Sequence, residues 1–185
     1  MTRFTMKLAA ILLVISVASC SSSSPPEAAN SPLQISSSSS LEKGKTALET
    51  LRKLQDKTEP NSITGNGIKA QTYPAEVNEL KSAIDTYTNS AEAGSHPELT
   101  KLLQHALTGH MLALDLIKST PGEYVKSSQV DKIFQYSPDI KKHIFGQPAK
   151  DSGEILYRTG VILAGIWSQT GEDARLASIE VNLSQ

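Results

Sequence analysis

Apolar residues recur at steps of three and four through most of this chain, and four stretches hold the pattern long enough to predict helices. In the first, Ala47, Leu48, Leu51 and Leu54 share a face of a helix beginning near Leu41, with Lys43, Lys45, Glu49, Arg52, Lys53 and Asp56 mainly elsewhere. Ser39 and Glu42 have capping-box spacing at its start, and Pro60 ends it. Residues 61–72, centred on Gly65-Asn66-Gly67, read as a loop. The second helix opens at Pro74 and carries a narrow seam of Val77, Leu80, Ile84, Tyr87 and Ala91, with Ala93-Gly94 closing it. Ser95 and Glu98 make a second capping box for the third helix, and Pro97 fits its first turn. Leu99, Leu102, Leu103, Ala106, Leu107, His110, Ala113, Leu114 and Ile117 lie along its broad apolar face. The short connection between helices two and three predicts an antiparallel hairpin.

From Gly122 to Pro148 the pattern breaks into pieces. Val130, Ile133 and Phe134 predict a brief helix from about Ser127, and Ser137-Pro138-Asp139 a cap before Ile140, Ile144 and Phe145. These pieces gather Tyr124, Phe134, Tyr136 and Phe145, and are expected to cover one end or side of the bundle. Asp151 and Glu154 then read as the cap of a fourth helix through Ile155, Leu156, Thr159, Ile162, Leu163, Ile166 and Trp167. After Gly171, residues 173–183 read as a last short helix, with a terminal strand as the alternative because Ile179, Val181 and Leu183 alternate. The expected fold is all-α: an up-down helical bundle of about four main helices plus short ones, occupying residues 41–185.

The N-terminal forty residues follow a different plan. Arg3 and Lys7 precede an almost unbroken apolar run from Leu8 to Val17, then come Ala18, Ser19 and Cys20, the single cysteine. The run is about half of what a helix needs to cross a hydrocarbon core, so residues 1–19 read as a processed signal segment. Residues 20–40 read as a disordered tether: Ser21 to Ser24, Pro25-Pro26 and Ser36 to Ser40 leave little to bury, and Glu27 is the one charge. Removing residues 1–19 leaves 16 basic against 19 acidic side chains, a net −3 with histidines neutral. That balance excludes the clustered basic face of a nucleic-acid binder.

Val17-Ala18-Ser19-Cys20 resembles the lipobox of bacterial lipoproteins, an aliphatic residue, two small ones and an acceptor cysteine. The resemblance implies a diacylglyceryl group on the Cys20 thiol, cleavage before it, acylation of the new amino group, and a membrane held through lipidated Cys20. Two or three acyl chains anchor stably where one does not. A coil of some twenty residues would then keep the domain roughly 25 Å from the bilayer. Ser21 is not the aspartate that commonly marks inner-membrane retention in enteric bacteria. The expected address is the outer membrane facing the periplasm in a Gram-negative host, and otherwise the outer face of the cell membrane.

Candidate chemistry is sparse. Metal-binding helical pairs need i, i+4 spacing, whereas His105 and His110 are five apart and diverge by about 140°; His96 and His143 stand alone. Acids read as spread over solvent faces, and no Glu-x-x-His, Gly-x-Ser-x-Gly, Walker or dinucleotide pattern occurs. No metal, cofactor or catalytic residue is expected. His110, on an apolar face, reads as a core imidazole bonded to a neighbour or as a ligand for a haem, pigment or lipid between helices. Tyr124, Phe134 and Tyr136 are candidate partner contacts, as aromatic anchors often are, with core burial as the alternative. Two functions remain open: a non-catalytic envelope scaffold or accessory subunit docking on a protein complex, and a lipid-anchored ligand carrier.

Overall fold

A computed structural model describes residues 41–58, 71–120, 122–150 and 153–184. Four long helices carry the fold: α1 (Glu42–Thr58), α2 (Tyr73–Thr88), α4 (Pro97–Ser119) and α7 (Thr159–Leu183). Each neighbouring pair runs antiparallel. Lys57 near the end of α1 meets Glu76 near the start of α2, Tyr87 at the end of α2 meets Thr100 in α4, and His105 in α4 meets Asp173 in α7. Arg52 and Gln55 of α1 reach Ser178 and Thr170 of α7, so the last helix closes the ring against the first. The architecture is all-α, and the core holds the seams expected of it: Leu51, Leu80, Ile84, Leu99, Leu103, Ala113, Ile162 and Ile166.

Helix ends are satisfied in ways that local spacing does not reveal. Ser39 lies outside the described residues. The Lys43 and Gly44 N–H groups instead donate to the Glu92 carboxylate, at 3.1 and 3.2 Å, placing an anion on the positive end of α1. Glu92 belongs to α3 (Ala91–Ser95), a single turn that replaces the expected end of α2. Ser95 ends that turn and caps nothing; His96 precedes α4 without a side-chain cap bond. Pro74 and Pro97 stand in first turns as expected.

The other end of the bundle carries a small cap. Its helices are α5 (Ser127–Tyr136) and α6 (Pro138–His143), and its strands are β1 (Tyr124–Lys126), β2 (Gln147–Pro148) and β3 (Ile155–Arg158). The sheet has the order β1-β3-β2, with both pairs antiparallel. Val125 and Tyr157, opposite each other in register, are its buried pair. The helix expected from Asp151 is thereby corrected. Residues 155–158 are strand, and the Glu154 carboxylate bonds Lys126 and Ser128 across the sheet. The expected break at Gly171 is corrected as well, because α7 continues through it to Leu183, which also removes the alternative of a terminal strand. Gly171 stands where a Cβ would come within 2.9 Å of the Gln55 amide. Its missing side chain brings α1 close and does not stop the helix.

Candidate functional site

Three side chains from α2, α4 and α7 meet in the middle of the bundle. The Trp167 indole N–H donates to the Tyr73 hydroxyl at 3.1 Å, and that hydroxyl lies 2.9 Å from His110 Nδ1. Tyr73 packs edge-on against both rings, with centroids 6.1 Å from His110 and 6.2 Å from Trp167. Tyr73 and His110 are wholly buried. Burial drives the phenol of Tyr73 up and lowers the His110 imidazole to about 3, so the histidine is neutral at physiological pH. Its Nε2 has no partner among the described residues. This geometry is a buried polar node with one bare ring nitrogen, and His110 lines neither of the two clefts described below.

The depressed imidazole has a measurable consequence. Its folded value lies below its ordinary 6.5, so between these pH values the unfolded chain takes up the proton first. The stability gained from keeping His110 neutral is whole above pH 6.5. It is lost as pH falls toward 3, at up to about 1.4 kcal/mol per pH unit. Urea midpoints at pH 7 and pH 5 should therefore differ more for the wild type than for His110→Asn, which keeps an acceptor for Tyr73 without a titrating ring.

A second cluster lies between α4, α5 and α7. The Asp173 carboxylate, nearly buried, is held by His105 Nδ1 at 2.7 Å, the Gln169 amide at 3.3 Å and the Tyr136 hydroxyl at 3.4 Å. The Tyr136 ring stacks on His105 with centroids 4.4 Å apart. Burial and the adjacent carboxylate drive the phenol of Tyr136 up, so it stays a donor. The expectation that acids occupy solvent faces is thus corrected at Asp173. The signal for it was present: Ile166, Thr170, Asp173, Ala177 and Val181 step by three and four along α7, and all are buried. It is visible only once the helix is carried through Gly171.

The candidate contacts Tyr124, Phe134 and Tyr136 do not share one surface. Tyr136 turns inward to Asp173, and Phe134 packs edge-on against Tyr157 at 5.4 Å with Lys141 over its ring. Tyr124 stays exposed on edge strand β1. The most exposed aromatic among the described residues is Phe145, 95% accessible, between α6 and β2. Ile155 and Val161 are exposed nearby at 43% and 45%. A cleft of about 360 Å³ runs between α6 and α7, lined by Ile140, Ile144, Val161, Gly165, Gln169 and Glu172 among others. A second pocket of about 210 Å³, lined by Phe145 and Arg158 among others, shares His143, Ile144 and Val161 with it. Sequence reasoning grouped Phe145 with the other aromatics and did not single it out. Its signal was a large apolar residue directly before a glycine, after the basic run Lys141-Lys142-His143.

Among the described residues no three histidine, cysteine or acidic side chains converge as a metal site, and no helix is long and apolar enough to cross a membrane. Cys20 lies outside the described residues. Compared with family models, with curated proteins and with solved structures, the chain matches none.

Proposed function

We propose that this chain is a lipid-anchored protein of the cell envelope, without catalytic activity, that docks on a protein partner through the cap of its bundle. One observation carries the docking reading: Phe145 stands in water at a pocket adjoining an open cleft of mixed polar and apolar lining. Large apolar groups left exposed around a cleft mark interaction surfaces. The anchor reading rests on Val17-Ala18-Ser19-Cys20 and the serine-rich stretch behind it. The carrier reading draws on the bare Nε2 of His110 alone; acylated protein that purifies colourless and without extractable ligand removes it.

Two measurements test the proposal. Cys20→Ala should accumulate as an uncut precursor without acyl chains, and a variant still processed and membrane-bound overturns the anchor. A photo-crosslinking residue at position 145 should trap a protein neighbour in intact cells, while one at exposed Lys101, toward the other end of α4, should not. Equal yields at both positions reject the cap as the docking face.

A further inference from the structure

We propose that the occupant of this surface is a second copy of the same chain. Two copies meet about a two-fold axis, and each seats its Phe145 in the α6–α7 cleft of the other. The inference rests on the docking reading above and names its partner.

The first argument is that knob and hole occur on one molecule. Phe145 is almost fully exposed, and the cleft of about 360 Å³ has Ile140, Ile144, Val161 and Gly165 among its lining residues. A knob and hole on opposite faces of a chain build an open filament, whereas adjacent ones close into a two-fold pair. Here they are adjacent: the pocket beside Phe145 shares His143, Ile144 and Val161 with the cleft.

The second argument is charge. Arg158 lines the pocket beside Phe145 and Glu172 lines the α6–α7 cleft next to it, both on or next to α7. Arg158 ends β3 directly before α7 and Glu172 lies within α7, seven residues on either side of Gly165, and each lines its own end of this surface. A two-fold axis near Gly165 reverses this arrangement, setting Arg158 of each copy against Glu172 of the other, twice over. The other acidic lining residue is Asp139, which holds Lys142 at 2.6 Å. In the single chain Arg158 is paired with Glu123 at 3.5 Å and Glu172 with Arg175 at 2.7 Å. Both are exposed pairs, worth little and easily exchanged for the pairing across the axis. Confinement of anchored chains to one membrane raises their effective concentration.

Sedimentation velocity of the acylated protein in non-ionic detergent, at tens of micromolar and low salt, tests this. The wild type should sediment as a dimer. Phe145→Ser, at a position that contributes nothing to the core, should raise the dimer dissociation constant by at least about tenfold. Arg158→Glu and Glu172→Arg should each be monomeric alone, with unchanged circular dichroism. Mixed in equal amounts they should recover the dimer, since one then carries acid at both rim positions and the other base at both. That recovery belongs to a two-fold pair, not to chance sharing of a micelle. A wild type that stays monomeric, a Phe145→Ser dimer of undiminished strength, or a mixture that fails to recover overturns the proposal. If the crosslinker at position 145 traps a different protein while the wild type stays monomeric, the second copy is rejected and the docking reading stands. If it traps nothing, both fall.

Discussion

Tyr73→Ala should lower the unfolding free energy by about 3–5 kcal/mol, the range for emptying a buried aromatic site. The ring is wholly buried where α2, α4 and α7 meet. It separates His110 from Trp167 while bonding to both. Tyr73→Phe keeps the ring and removes only the hydroxyl. It leaves the Trp167 N–H without its acceptor and His110 Nδ1 without its partner, and should cost about 1–3 kcal/mol. Urea unfolding of both variants separates the two contributions. A neutral Tyr73→Phe would mean that packing alone holds the centre and that the node adds no stability. His110 Nε2 is already bare, so the site has little further tolerance for unpaired polar atoms.

Gly109→Ala should also destabilise, by about 1–3 kcal/mol, although alanine is the better helix former. A Cβ at position 109 would collide with the Tyr136 hydroxyl and approach Thr170 Cγ2 to 2.5 Å. Relief requires moving Tyr136, which unstacks it from His105 and withdraws its bond from Asp173. Gly160→Ala is the control, because a Cβ there meets nothing within 4 Å. It should be neutral or stabilising by up to about 1 kcal/mol. Opposite signs for two glycine-to-alanine changes in long helices, read by thermal unfolding, would identify close packing at Gly109 as the cause. Matching signs would count against it.

The first three long helices and the seam of the fourth were legible because each repeats its apolar positions over several turns, although the fourth was expected to start at Asp151 and to break at Gly171. Leu51, Leu80, Leu103 and Ile166 are buried as that repeat requires. The cap was not legible, because strands of two to four residues are too short to show alternation, and Ile155, Leu156 and Tyr157 fit a helical continuation equally well. Two glycines show why boundaries are harder than elements. Gly94 lies inside the single turn of α3, and Gly171 lies inside α7 against Gln55. A glycine marks either a stop or a close approach, and only the partner segment decides which. The same holds for the node and the buried acid. Trp167 and Tyr73 are 94 residues apart, and His105 and Asp173 are 68 apart; no local pattern joins them. His110 was identifiable as a polar residue on an apolar face, while the exposed Phe145 was not distinguished from its aromatic neighbours.

The pairing of α1 with α7 has a consequence for how the chain is made. α1 is the first described helix and α7 the last, and Gln55 bonds the Trp167 carbonyl and the Thr170 hydroxyl across more than a hundred residues. During synthesis α1 and α2 form their hairpin early, since the connection between them is local. The groove that receives α7 then stays open until the final 25-residue helix arrives. The largest loop closure among the described helices joins α1 to α7, so completion of this core waits on α7. A nascent chain stopped before Thr159 therefore presents Leu51, Leu103 and His110 to water until α7 has been made.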